Sequence, residues 1–166
     1  VFSVLVDMGR PAFAPADVPV KLDGEKVMNR RVYLGGAMRE ISCVSMGNPH
    51  VVMFVDDVNA INLQQVGPMI EQDALFPARV NVSFAQIVDG NSIVMRVWER
   101  GIGETAACGT GACAVLVACV LNGLTERKAQ VALPGGVLEL EWSAEDNHVY
   151  MTGPATFVYD GVWLQD

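Results

Sequence analysis

Histidine and positive charge are both scarce in this chain of 166 residues, which has two histidines and 11 lysines and arginines against 19 acidic residues, a net charge of −8. There is no basic run of the kind that tracks a phosphate backbone, so nucleic acid is not an expected partner. No lysine occurs between Lys26 and Lys128, and the Gly-Lys-Ser/Thr ending of a Walker phosphate loop is therefore missing. The four cysteines (Cys43, Cys108, Cys113 and Cys119) lie in apolar or strand-like contexts, and neither they nor His50 and His148 have zinc-ligand spacing. No metal is expected, and reduced thiols in a cytoplasm are expected over a disulfide framework. The chain opens in mid-strand, without an initial methionine, a charged n-region or a small-residue cleavage site, so it reads as a truncated or processed piece without a signal peptide. The apolar run over residues 112–121 (ACAVLVACVL) has ten residues, too few to cross a bilayer, so no membrane partner is expected.

What the chain has in plenty is apolar content: 51% hydrophobic residues and a mean hydropathy of +0.31, with only 18% charged. That is enough for one compact domain or for half of a two-domain protein, with part of the apolar surface turned toward something outside it. Strands are expected over residues 1–6, 27–34, 37–44, 51–55, 80–87, 92–98, 129–133, 137–142, 148–151 and 155–159, with hairpin turns at Gly35-Gly36 and Asp89-Gly90-Asn91. Residues 62–73 are helical in composition but carry Gly67-Pro68, which predicts a kink or a restart at the proline. The Pro-rich run to Pro19 reads as an extended connector.

The chain is organised around residues 98–123 (WERGIGETAACGTGACAVLVACVLNG). Residues 112–121 have no polar side chain on any face, so a helix there must be buried all round. Asn122-Gly123 ends it. Its start follows Gly109-Thr110-Gly111, where free backbone N–H groups and the positive helix end attract an anion, and Cys108 sits immediately before. A thiol there is expected to have its pKa brought toward neutrality. Glu99, Arg100 and Glu104 crowd charge beside the mouth. Many hairpin strands with one apolar helix predict an α+β fold, a mostly antiparallel sheet wrapped around a buried central helix.

Gly101-Ile102-Gly103-Glu104-Thr105-Ala106 fits a dinucleotide fingerprint after a strand, but Gly109-Thr110-Gly111 breaks the helix that fingerprint needs, and the hairpins build no parallel βαβ unit. Acyl transfer by Cys108 would need His50 folded beside it as a base. Met46-Gly47-Asn48-Pro49-His50, Val80-Asn81-Val82-Ser83-Phe84 and Glu99-Arg100-Gly101-Ile102-Gly103-Glu104-Thr105-Ala106-Ala107-Cys108-Gly109-Thr110-Gly111, in this order and spacing, closely resemble the C-terminal domain of the diaminopimelate epimerase family. Val6-Asp7-Met8-Gly9 and Thr152-Gly153-Pro154-Ala155 extend the likeness over nearly the whole chain.

The resemblance implies two similar domains, each with a sheet around a central helix, and one catalytic cysteine from each in the cleft between them. It implies cofactor-free proton transfer interconverting LL- and meso-diaminopimelate, toward lysine and peptidoglycan. Cys108 would be one acid/base thiol, modulated by His50 and Glu99. The N–H groups of Gly109 and Thr110 would hold the substrate's α-carboxylate, while Asn48, Asn81, Glu99 and Arg100 would bind its distal end. The family's other cysteine lies in a Cys-Gly-Asn-Gly motif, and the one Cys-Gly pair here is Cys108-Gly109. By that implication residues 1–13 are a strand and linker left from a missing N-terminal domain, 14–153 are the C-terminal domain, and 154–166 return as a strand toward the missing one. The fragment would be inactive alone, and the whole protein a homodimer. A two-cysteine racemase or isomerase of the same fold, such as a proline racemase, shares Cys-Gly-Thr-Gly but not the Glu-Arg-Gly lead-in, and a non-catalytic binding module is the reading from another class.

Overall fold

The fully apolar stretch folds as a helix, and the rest of the chain supplies its walls. The computed structural model describes residues 2–164. In chain order these form β1 (Phe2–Asp7), β2 (Arg30–Leu34), β3 (Ala37–Ser45), β4 (Pro49–Phe54), α1 (Leu63–Glu71), β5 (Asn81–Asp89), β6 (Ser92–Glu99), β7 (Gly103–Thr105), α2 (Gly109–Leu121), β8 (Lys128–Leu133), β9 (Gly136–Trp142) and β10 (Val149–Ala155). The ten strands make one sheet in the order β1-β10-β9-β8-β6-β5-β4-β3-β2, with β7 pairing to β6 off this path. Among the described residues, β4 with β5 and β6 with β8 pair in parallel, and the other strand pairs are antiparallel. The α+β class and the mostly antiparallel sheet are as expected.

Helix α2 touches β3, β4 and β5 on one side and β8, β9 and β10 on the other, so the sheet curls around it. Every residue from Ala112 to Cys119 is 0% exposed. Val44, Val52, Met95, Val97, Val131 and Leu140 reach it from the strands. Fully burying each large aliphatic chain contributes about 1.5–3 kcal/mol, which is why a helix with no polar face is stable here. A second core lies on the other face of the central strands, where Val51, Met53, Val82 and Phe84 meet Leu63, Val66 and Ile70 of α1. Alternation along β4 sends His50 and Val52 toward α2 and Val51 and Met53 toward α1. At Gly67 a Cβ would lie 2.6 Å from the Trp98 ring, so α1 rests directly on that indole and no side chain fits between them.

The restart at Pro68 and one expected strand do not form. Helix α1 runs through Gly67-Pro68 as one element with Pro68 inside it. In a nine-residue helix the proline removes one backbone bond, and burial of Leu63, Val66 and Ile70 outweighs that loss. The strand expected over residues 155–159 does not form: β10 pairs with β9 only as far as Thr152 and with β1 only as far as Ala155, so among the described residues no strand lies beside the segment beyond. β1 pairs with β10 from Phe2↔Ala155 to Asp7↔Tyr150 and so belongs to the same sheet. Val1, Gln165 and Asp166, which fall within the expected segments 1–13 and 154–166, lie outside the described residues. Among the described residues no helix is long and apolar enough to cross a membrane.

Candidate active site

Cys108 is the N-cap of α2, with extended backbone (φ −146°, ψ 104°) and no side-chain cap bond. The first helical hydrogen bond runs from the Ala112 N–H to the Cys108 carbonyl. The N–H groups of Gly109, Thr110 and Gly111 therefore have no intrahelical partner. A Cβ at Gly111 would sit 3.1 Å from the Cys108 sulfur and 3.7 Å from His50 Cε1, so the glycine makes room for the thiol itself. A Cβ at Gly109 would meet Met151 Sδ at 3.2 Å, with Met8 Cε at 3.9 Å. Two methionines thus wall this side of the mouth. Met8 is held there because Asp7 accepts hydrogen bonds from the Gly9 N–H (2.9 Å) and from His148 Nδ1 (2.8 Å).

The parallel register pairs His50 with Asn81, which places both on the face of the sheet that meets α2. His50 Nε2 lies 3.0 Å from Asn48 Oδ1 and 3.2 Å from Thr110 Oγ1, while Asn48 Nδ2 donates to the same hydroxyl at 3.2 Å. An amide oxygen only accepts, so His50 carries its proton on Nε2. With Asn48 Nδ2 donating to Thr110 Oγ1 and the protonated Nε2 unable to accept from it, the threonine's own proton is free for the Cys108 sulfur, 3.7 Å away. His50 Nδ1 is buried with no partner. Asn48, His50, Thr110 and Cys108 thus form one polar cluster. His50 makes no bond to the sulfur, which removes the geometric support for a Cys-His acyl-transfer pair.

On the far side of the thiol, the turn after β6 carries Glu99 and Arg100. It closes with the Ile102 N–H donating to the Glu99 carbonyl (3.0 Å), and Gly101 has a φ of +76°, in the region that favours glycine. Glu99 Oε1 accepts from Thr105 Oγ1 at 2.6 Å and faces Cys108. Asn81, buried, donates to the Pro49 carbonyl (2.9 Å) and accepts from the Arg100 N–H (2.9 Å), so its amide is largely committed to backbone. The Arg100 side chain is exposed and donates to the Ala78 carbonyl at 3.0 Å. Glu104, expected as a charge at the mouth, instead pairs with Arg96 (2.7 Å). Two residues that the sequence reading missed hold this region: Arg96, and Glu71, which accepts from Trp98 Nε1 (2.7 Å) and the Gly101 N–H (2.9 Å). Glu71 did carry a signal, since a carboxylate on the last residue of a helix opposes the helix dipole.

Burial pushes the Cys108 thiol above its ordinary value, and the Glu99 carboxylate adds to that, while the Thr110 hydroxyl and the Gly111 N–H favour the thiolate. The expected shift toward neutrality is therefore corrected: desolvation outweighs the helix end. Burial pushes Cys43, Cys113 and Cys119 up to about 12. Limited iodoacetamide treatment followed by mass mapping is thus expected to modify Cys108 first. Modification of Cys43 or Cys113 with Cys108 untouched would place the reactive mouth elsewhere.

His50 is pushed down to about 4 by burial and then by the positive charge of Arg100. Its depressed folded-state value makes stability fall as the solution is acidified. At a pH above the ordinary value of 6.5 both states are neutral, and between 6.5 and about 4 the unfolded chain binds a proton that the folded chain refuses. The loss across that window is on the order of 3 kcal/mol. His50→Gln is expected to flatten the stability curve between those pH values in denaturant titrations; an unchanged slope would show that His50 is protonated in place.

Among the described residues no group of three or more His, Cys, Asp or Glu could hold a metal ion. The family model for diaminopimelate epimerase matches residues 42–158. A diaminopimelate epimerase of Acetivibrio thermocellus is 52% identical over 158 residues, covering 95% of this chain and 56% of that protein. One of Desulfitobacterium hafniense is 51% identical over 166 residues, covering 100% of this chain and 58% of that protein. The chain thus spans little more than half the length of these curated relatives. Among solved structures, a probable proline racemase from Agrobacterium radiobacter superposes with a TM-score of 0.60 at 19% identity, covering 98% of this chain and 54% of that one. A predicted epimerase from Pseudomonas aeruginosa does so with a TM-score of 0.57 at 20% identity, covering 92% of this chain and 55% of that one. At such identities the likeness is one of fold.

Proposed function

The chain belongs to the diaminopimelate epimerase family, and from that premise we propose that it carries one half of a cofactor-independent active site interconverting LL- and meso-2,6-diaminopimelate. The observation that supports this reading best is the setting of Cys108: a thiol without a cap bond at a helix mouth with free N–H groups, faced by Glu99 on one side and Thr110 on the other. Inverting a carbon centre requires a base on one face and an acid on the other. Cys108 serves one face, its thiolate taking the α-proton in one direction and its thiol returning it in the other. Its raised pKa makes the thiolate a stronger base toward a weakly acidic C–H, and the Thr110 hydroxyl and the Gly111 N–H help to keep that thiolate populated.

The N–H groups of Gly109 and Thr110 hold the α-carboxylate and the charge that spreads into it as the proton leaves. Arg100 offers a guanidinium to the distal carboxylate, Glu99 an acceptor to the distal ammonium, and Asn48 and Asn81 line the same end. His50 acts on the thiol through Thr110. The second thiol comes from outside this chain, since Cys43, Cys113 and Cys119 are all 0% exposed in the core. On this reading residues 14–153 make up the domain that presents Cys108, with β1 added at the edge of its sheet, and the exposed Phe157, Val158 and Trp163 suit contact with a second domain. The protein works as a cytoplasmic homodimer on a small amino-acid substrate.

The test is α-proton exchange into D₂O with each diaminopimelate isomer, run on the full-length protein and on this chain alone. Exchange with inversion is expected from the full-length protein, and none from this chain, which is expected to fold and self-associate. Isomerisation by the chain alone would overturn the two-thiol reading. No exchange with either isomer by the full-length protein would overturn the substrate assignment. Arg100→Ala should raise the substrate dissociation constant about ten- to a hundredfold, as expected for the loss of a charged hydrogen bond.

A further inference from the structure

We infer that Glu71 is a positioning residue of this site: from the end of α1 it locks the turn that carries Glu99 and Arg100, and so sets where Glu99 meets Cys108. The inference rests on the reading of Cys108 as the acid/base group. Among the described residues Glu71 is the one buried Asp, Glu, Lys or Arg. A carboxylate is kept out of water only where its oxygens are otherwise satisfied, and here both are. Oε2 accepts from the Trp98 indole (2.7 Å) and Oε1 from the Gly101 N–H (2.9 Å), one residue before Glu99 and one residue after Arg100. Arg79, largely exposed, adds an ion pair at 3.6 Å.

Anchoring α1 to the sheet would need no more than the bond to Trp98, whose ring already packs against Gly67. The second oxygen instead reaches past the indole to the far end of the turn. Asn81 takes the intervening Arg100 N–H, so buried side chains from α1 and β5 hold two consecutive N–H groups of the turn. With both fixed and the Ile102 N–H closed onto the Glu99 carbonyl, the backbone of Glu99 has little freedom. Its carboxylate is then set by Thr105 on one side and the thiol on the other. Glu71 thus acts on Cys108 through the turn, without touching it.

The groups facing the thiol are Glu99 from β6, Thr110, the Gly111 N–H and Cys113 from α2, and the His50 ring from β4, itself under the charge of Arg100. Of these, Glu99 is the one Glu71 controls. Because Glu99 raises the thiol, freeing the turn should lower the pH at which Cys108 becomes reactive. The experiment measures the pH midpoint of Cys108 alkylation by iodoacetamide, mapped by mass, in the full-length protein and its Glu71→Gln, Glu99→Gln and double variants. Glu71→Gln and Glu99→Gln should each lower the midpoint, and the double variant should lie no lower than Glu99→Gln alone. In turnover, Glu71→Gln should raise KM for diaminopimelate about tenfold as Arg100 loses its place.

A Glu71→Gln midpoint equal to wild type, with only the melting temperature reduced, would make the residue structural and overturn the inference, as would shifts that add in the double variant. If Glu71→Gln fails to fold, Glu71→Asp takes its place, keeping the carboxylate on α1 but drawing it back by one methylene from the Gly101 N–H, with the same two outcomes. If the wild type turns over neither isomer while the midpoints still shift without adding, the substrate reading fails and the positioning role stands.

Discussion

Cys108→Ala in the full-length protein is expected to slow isomerisation by about 10²- to 10⁴-fold, the range over which a positioned acid or base accelerates proton transfer. The fold should survive the change. Cys108 makes no side-chain cap bond to α2, so the helix loses no hydrogen bond of its own. Removing a small buried sulfur should cost about 1 kcal/mol, set against the large apolar core around Ala112 to Cys119. The free N–H groups of Gly109 and Thr110 belong to the backbone and remain, so substrate should still bind. Steady-state rates, thermal melts and a binding isotherm on one preparation separate these effects. A variant that binds, melts normally and still turns over within about tenfold of wild type would remove Cys108 from the chemistry.

The largest stability effect outside the apolar core is expected at Arg96. Its guanidinium donates to Glu104 through Nε (2.8 Å) and lies 2.7 Å from it through Nη2, while Nη1 donates to the carbonyls of Val58 and Ile61, both at 2.9 Å. Glu104 is only 22% exposed, and its other oxygen accepts from Gln64. Arg96→Ala leaves that carboxylate and two carbonyls short of a partner, which should cost about 3–5 kcal/mol. Lysine should not rescue it, because a single ammonium cannot reproduce the planar fork. Chemical denaturation followed by circular dichroism measures the loss, and a value below about 1 kcal/mol would show that water replaces the guanidinium without penalty. The site should feel the change as well. β7 is held on β6 beside this pair, Thr105 of β7 bonds Glu99, and the Ala106 carbonyl accepts from the Gly135 N–H at 2.7 Å. Loosening β7 frees the segment that delivers Cys108.

The end of helix α2 (Gly109–Leu121) was legible in the sequence to the residue, and its start to within one turn, because its limits are set by neighbours in the chain. A glycine and a threonine open it, ten residues without a polar side chain fill it, and Asn122-Gly123 closes it. The Gly35-Gly36 hairpin was legible for the same reason, both glycines having positive φ (58° and 81°). The motif residues Asn48, His50, Glu99, Cys108 and Thr110 converge because the strands that carry them were readable and because the resemblance named them as one set. The restart of α1 at Pro68 and the strand over residues 155–159 do not form, for the opposite reason. Propensity favoured each, and burial in one case and, among the described residues, the lack of a partner strand beyond Ala155 in the other decided against it.

By itself, the sequence determined that a buried helix would present a thiol at its N-terminus and that charged residues would sit beside it. These properties follow from side-chain polarity at fixed spacing. Only the tertiary structure decided which charges act there. It paired Glu104 with Arg96, turned Glu99 onto the sulfur, and brought Glu71 from a separate helix to bind the Gly101 N–H, 30 positions along the chain. It also reversed the expected shift of Cys108. Spacing fixes the position of the helix end, whereas the exclusion of water around the thiol depends on the packing of Met8, Met151, His50 and β6, which no local pattern encodes.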